Sequence, residues 1–228
     1  MKSYLKNIAI VLIFSLLPLL LKAQEEKKNE PVFDPVGYLS MGSRNCFSSF
    51  FSNGKAFVGT GAGGEFGLRF AKDFNSHWFA DWIVSNVDNL AQRYDFHSGF
   101  SMMPEVLSSR IGAKRLAMFP LAGICIDYTK FTITNGKNTS AGPTWLERYS
   151  FAVQAGCGIT LPVSDRLDFS LEAHYMLHIG TCLGIDLKGD EVQLLRMQPK
   201  QSLCLEGHYV LAVSMDFKLF KLWGRKSS

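Results

Sequence analysis

Apolar residues recur at every second position through segment after segment of this chain. In 208–219, Tyr209, Leu211, Val213, Met215, Phe217 and Leu219 fall on one face, and His208, Val210, Ala212, Ser214, Asp216 and Lys218 on the other. A period of two puts successive side chains on opposite faces of a β-strand. Residues 150–161 alternate in the same way, with Phe151, Val153, Ala155, Cys157, Ile159 and Leu161 on one face. So do 167–179, where Leu167, Phe169, Leu171, Ala173, Tyr175, Leu177 and Ile179 oppose Asp168, Ser170, Glu172, His174, Met176 and His178. Phe66, Leu68 and Phe70 mark a further strand, and weaker alternation predicts four more at 36–45, 77–88, 93–106 and 115–133. Eight strands are expected, the first with the poorest pattern, and Pro120 predicts a bulge because it cannot donate to a ladder.

The connections predicted between these strands differ at the two ends. Residues 72–76, 108–114 and 162–166 are short, whereas 46–55, 88–93, 134–146 and 181–203 read as longer loops. Short turns on one side and long loops on the other characterise membrane barrels. Alternation alone does not say which face is inside, and here composition helps. The chain is 47% hydrophobic and 13% aromatic, with 18 Phe and 20 Gly, yet after residue 24 it has no apolar run of helix-spanning length. The polar faces carry both signs of charge, and strands of about ten residues suffice to cross a bilayer at a tilt. Aromatics that resemble interfacial girdles stand near strand ends: Tyr38, Phe70, Trp78, Tyr128, Trp145, Tyr149, Phe169, Tyr209 and Phe217. The expected fold is all-β, a closed antiparallel up-and-down transmembrane β-barrel of about eight strands. Its lumen would hold Glu65, Arg69, Asp81, Asp95, His97, Asp127, Glu172, His174, His178 and Asp216.

Residues 1–24 read as a signal peptide: a basic start with Lys2 and Lys6, an apolar run from Ile8 to Leu21, then Lys22-Ala23-Gln24. Residues 25–35 form a charged, proline-bearing lead-in, and 36–228 the barrel. The net charge of +4 is spread out, with no basic block of the kind that binds nucleic acid. The five cysteines show no zinc-type spacing. If Leu167 pairs near Phe220, Cys182 and Cys204 stand opposite one another on the inward face at the base of the last loop. Two readings stay open, a Cys182–Cys204 disulfide or five unpaired thiols. Cys125 and Cys157 fall on opposite faces and are expected to be free.

Three segments carry a family resemblance. Leu21-Lys22-Ala23-Gln24 looks like the end of a Bacteroidota signal peptide. Gly61-Ala62-Gly63-Gly64-Glu65-Phe66-Gly67-Leu68-Arg69-Phe70 resembles the second strand of the small outer-membrane β-barrel domain family common in that group, which includes OmpX-like and PorT-like barrels. Val213-Ser214-Met215-Asp216-Phe217-Lys218-Leu219-Phe220 is similar to the aromatic-ended last strand of those barrels. The resemblance covers residues 37 to the end and implies outer-membrane lipid as the surroundings. It also implies recognition of the last strand by the barrel-assembly machinery, with a surface or secretion-system partner as a further expectation.

Ser170, Glu172, His174 and His178 share one strand face, but Ser170 and His174 are two strand-steps apart, beyond direct hydrogen-bond reach. They are read with Asp95 and His97 as a polar network, with no catalytic residue assigned. A metal site from His174, His178 and Asp95 or Glu172 has no specific spacing, so neither metal nor cofactor is expected. Gly61-Ala62-Gly63-Gly64 lacks the Lys-Ser/Thr of a phosphate loop, and Asn138-Thr139-Ser140 is read as ordinary loop. The expected protein is a non-enzymatic, porin-like cell-envelope barrel of a Gram-negative outer membrane, in a structural, surface-interaction or secretion-accessory role. A barrel enzyme acting on lipid or peptide and a soluble periplasmic binding barrel are the alternatives.

Overall fold

A computed structural model describes residues 37–223 apart from 53–54, 72–73, 112–113, 139–142, 165, 182 and 197–203. The predicted signal peptide at 1–24, the lead-in at 25–35 and Cys182 lie outside the described residues. The strands are β1 (Gly37–Ser52), β2 (Lys55–Ala71), β3 (Phe74–Val87), β4 (Ala91–Pro104), β5 (Leu107–Ile111) and β6 (Lys114–Ile133). Then follow β7 (Lys137–Asn138), β8 (Trp145–Ser164), β9 (Leu167–Gly180), β10 (Leu183–Lys188), β11 (Glu191–Arg196) and β12 (Cys204–Trp223). Eight of them, β1, β2, β3, β4, β6, β8, β9 and β12, pair antiparallel in that order, and β12 pairs back with β1. The eight strands close into a barrel, and β5, beside the break in β4, pairs with β6 alone among the described residues.

The stagger of the barrel can be followed through the paired residues. From Ser40 the ladder runs through Gly67, His77, Ser101, Gly123, Gln154, Met176 and His208, and returns to β1 at Phe50, ten residues farther along. Such a shear tilts the strands by about 40° and leaves an interior that side chains can fill.

The inside and outside of this barrel are chemically inverted relative to a soluble protein. Arg93 and Asp127 are 1% and 0% exposed, whereas Ile126 and Tyr149 are 64% and 73% exposed. The outer wall carries Phe47, Trp82, Ile124, Phe151, Leu211, Met215 and Phe217, all exposed. Among the expected girdle aromatics, Phe70, Tyr149, Phe169 and Phe217 are on this wall, and the Tyr128 and Tyr149 rings meet at 5.0 Å. Tyr38 is not: its hydroxyl donates to Asp168 Oδ2 inside the barrel at 3.2 Å.

Two of the expected loops turn out to be strand and tight turn. Residues 46–52 continue β1, which pairs with β2 as far as Ser52↔Lys55. Its alternation is faint because Ser43, Asn45 and Ser49 lie on the outer face while Cys46 and Phe50 lie on the inner one. The expected 88–93 loop shrinks to a turn. Asp88 and Asn89 both adopt positive φ (51° and 59°), and Leu90 N donates to Val87 O at 3.0 Å. A type I′ turn usually recruits Gly, but Asn and Asp also tolerate this region; Asn86 Oδ1 holds the Asn89 N–H at 2.8 Å. At Pro120 the ladder to β8 runs on unbroken. On its other side the pairing breaks between Ala122↔Met102 and Met118↔Leu107, so β4 carries an extra residue before β5 resumes the line.

The last outer loop carries structure of its own. β10 and β11 form a hairpin across Gly189-Asp190, and β11 adds β7 in parallel. Leu183, Ile185, Val192 and Leu194 of this hairpin pack on Phe50, Phe57, Val87 and Phe131 at the barrel mouth.

Candidate functional site

The functional surface that the fold builds most deliberately is the barrel interior. Along β1 its layers follow in order: Tyr38, Arg44, Cys46 and Phe50. Tyr38 belongs to a rim at the end where both described termini lie. There Lys218 Nζ is 2.8 Å from Asp168 Oδ1, Arg69 Nη2 donates to Glu105 Oε2 at 3.1 Å, and both cations face the Tyr38 ring.

Above the rim is the first charge cluster. Arg44 Nη1 donates to Glu65 Oε2 at 2.5 Å and to Glu172 Oε2 at 3.0 Å, and its Nε is 3.3 Å from Asp81 Oδ1. The four side chains come from β1, β2, β9 and β3, so one guanidinium reaches half the circumference of the barrel. Glu65 and Asp216 both pair across Gly42, where a Cβ would meet Asp216 Oδ1 at 2.1 Å. Glycine there is what lets the carboxylate lie over β1. His77 Nδ1 is 3.5 Å from Glu65 Oε2 and 3.8 Å from Glu172 Oε1.

An apolar band with Cys46, Phe79, Ile83, Cys125, Ala152, Met176, Val210 and Ala212 comes next. The second charge cluster follows. Arg93 Nε donates to Asp95 at 2.8 and 2.9 Å, Nη1 pairs with Glu206, and Nη2 donates to His208 Nε2 at 2.7 Å. Arg148 Nη1 is 2.5 Å from Glu206 Oε2, and its Nη2 is 3.7 Å from Asp127 Oδ2. Asp127 also faces His97 Nε2 and His178 Nδ1, both at 3.2 Å. The Thr129 hydroxyl stands between Asp95 Oδ1 and Asp127 Oδ2, at 2.8 and 2.9 Å. The Arg93 guanidinium lies 4.2 Å from the centroid of Phe50, under the apolar cap.

These positions sort the residues singled out from sequence. Glu65, Asp81, Glu172 and Asp216 are in the first cluster, and Asp95, His97, Asp127 and His178 in the second; His174 is buried as well. Arg69, expected among them, lies at the rim with Glu105, and Arg44 takes the central role instead. Ser170 shares a hydrogen bond with Thr160 at 2.9 Å, and His178 binds Ser150 and Asp127 through the same Nδ1. A nucleophilic relay needs the base to use one nitrogen for each partner, so this is a hydrogen-bonded knot. Arg44, His77, Arg93, Arg148 and Glu206 escaped the sequence reading. Arg148 and Glu206 lie beyond the limits drawn for their strands, His77 and Arg93 at the first residue of theirs, and Arg44 on the faint first strand.

Three donor sets converge closely enough to hold a metal ion among the described residues: Glu65–His77–Glu172, His97–His178–His208 and Asp95–His97–Asp127. His174 is in none of them. Cys46, Cys125 and Cys157 are free thiols. Cys204 pairs with Gly180 and Leu167 with Phe217, a different register from the one expected; the Cys182 side of the expected bridge lies outside the described residues.

No family model matches the chain, and no curated protein matches it in sequence. Solved structures do. Neisserial surface protein A superposes with a TM-score of 0.56 at 9% identity, over 79% of this chain and 97% of that one. A major outer membrane protein from Thermus thermophilus gives a TM-score of 0.53 at 9% identity, over 79% of this chain and 99% of that one. At such identities the likeness is one of fold: this chain is a closed eight-stranded antiparallel β-barrel of the outer-membrane type.

Proposed function

We propose that the protein is a non-enzymatic integral protein of a Gram-negative outer membrane. In this reading it contributes to envelope structure and offers its outer loops to surface or secretion-system partners. The observation that carries this reading is the interior. It is filled from the rim to the apolar cap by alternating charged and apolar layers of buried side chains, and the β10–β11 hairpin packs over the outer mouth, which suits a mechanical wall better than a conduit. The exposed apolar outer wall supports contact with lipid. Residues 1–24 would direct export, and the outward Phe217 and Leu219 of β12 would be read by the barrel-assembly machinery. The segments resembling Bacteroidota barrels support an origin in that family.

The test is electrical. Purified protein refolded in detergent and added to planar bilayers is expected to insert without stepwise conductance. In cells it should fractionate with the detergent-insoluble outer membrane. Porin-sized conductance steps, or recovery in the soluble periplasmic fraction, would overturn the reading.

A further inference from the structure

We infer that the Glu65–His77–Glu172 cluster is a binding site for one divalent first-row metal ion of the zinc type. Its three donor atoms all lie within 4.8 Å of one another. His77 Nδ1 stands 3.5 Å from Glu65 Oε2 and 3.8 Å from Glu172 Oε1. Those separations are too long for hydrogen bonds, which fall near 2.7–3.2 Å. They are close to what a shared ion requires, since ligand atoms about 2.1 Å from one metal stand roughly 3.0–3.5 Å apart.

Two of the three donors are also unclaimed. His77 Nδ1 and Glu172 Oε1 are buried without a hydrogen-bond partner among the described residues. The other imidazole nitrogen, Nε2, is 3.3 Å from the Asn75 side-chain amide nitrogen, while Asn75 Oδ1 is itself unpartnered. The two ends of that amide have nearly the same shape, and a half-turn of the group exchanges them. Nε2–H then donates to Asn75 Oδ1, the proton sits on Nε2, and the Nδ1 lone pair points at the two carboxylates. A ligating histidine is commonly oriented in this way by an outer partner.

Charge selects this cluster over the histidine triad higher in the barrel. Here Glu65, Asp81 and Glu172 share the single guanidinium of Arg44, with Asp216 facing Glu65 across Gly42, so carboxylates outnumber guanidiniums four to one and a divalent cation would offset that excess. Around His97, His178 and His208, two guanidiniums already face three carboxylates. One imidazole with two carboxylates suits zinc or manganese better than calcium, which takes oxygen ligands alone. Arg44 stays in place, since it uses the other oxygen of Glu172 and shares Oε2 of Glu65.

The protein is refolded from denaturant into detergent micelles with excess zinc, passed over a chelating column, and its metal counted by atomic emission. One zinc per folded wild-type barrel is expected. His77→Ala and Glu172→Gln should lose it, His178→Ala should keep it, and Asn75→Ala should weaken zinc affinity roughly 10–100-fold. Folding of each variant is checked by its strand circular-dichroism signal. X-ray absorption of the zinc-loaded wild type gives a reading that depends on no variant, with one imidazole and the remaining ligands oxygen. A wild type without zinc, zinc retained by folded His77→Ala, or a three-imidazole spectrum would overturn the assignment.

Discussion

The two charge clusters are built on the same wall from the same residue types, but they balance differently. Around Arg44, one guanidinium serves Glu65, Asp81 and Glu172 at once. Around Arg93 and Arg148, Glu206 has both cations, and Asp127 has two imidazoles, Thr129 and Ser150 besides Arg148. The first cluster therefore depends on a single side chain and the second on a mesh. In a low-dielectric interior this difference decides how much one substitution costs, because a buried charge left alone is far more expensive than one that exchanges partners.

Arg44→Met breaks the comparison at its strongest point. It should lower stability by about 3–5 kcal/mol in urea titrations of protein folded into lipid vesicles, since three carboxylates lose their cation together. A cost near zero would mean that protons or an ion already balance the cluster. Val213→Arg, on the opposite surface of the wall, should cost about 2–4 kcal/mol in the same titration if residue 213 lies near the bilayer midplane. A negligible loss there would undo the assignment of inner and outer faces. Arg148→Met should cost less than Arg44→Met, about 1–3 kcal/mol, because each of its carboxylates keeps other donors. Equal losses for the two arginines would erase the distinction between keystone and mesh. Arg69→Ala removes a rim pair whose arginine side chain is 21% exposed and should change stability by less than about 1 kcal/mol. A larger loss would extend the dependence on single cations down to the rim.

What the sequence reveals here is parity. Every second residue of β9 and β12 points inward, so Glu172, His174, His178 and Asp216 are legible as interior positions from alternation alone. Height within the barrel is not legible. Arg69 and Arg44 both point inward, and which of them is level with Glu172 depends on the ten-residue stagger, a property of closure that no single strand encodes. The β9–β12 register shows the same limit: Leu167 pairs with Phe217 where a residue near Phe220 was expected. Arg148 and Glu206 fell outside the expected strands, and Arg93 stood at the very limit of one, because the ladders continue past the apolar stretches that make strands visible. The turn at Asp88-Asn89 was hidden because it lacks glycine. On β1, serines and an asparagine on the outer face blur the contrast that elsewhere separates wall from lumen.

The pairing of β1 with β12 has a further consequence, for the order of assembly. Gly37 pairs with Trp223 and Phe50 with His208, so this ladder joins opposite ends of the described chain, whereas the other seven barrel ladders join strands adjacent around the meander. Contacts of such sequence separation form slowly. Until they form, the sheet has two open edges of the kind that recruit foreign strands. Arg44 and Glu65 can meet early, within the β1–β2 hairpin, but Arg44 and Glu172 lie on either side of β12 and meet only when the barrel shuts. The Arg44–Glu172 contact is thus a clasp on the seam, fastened from the inside and last in time.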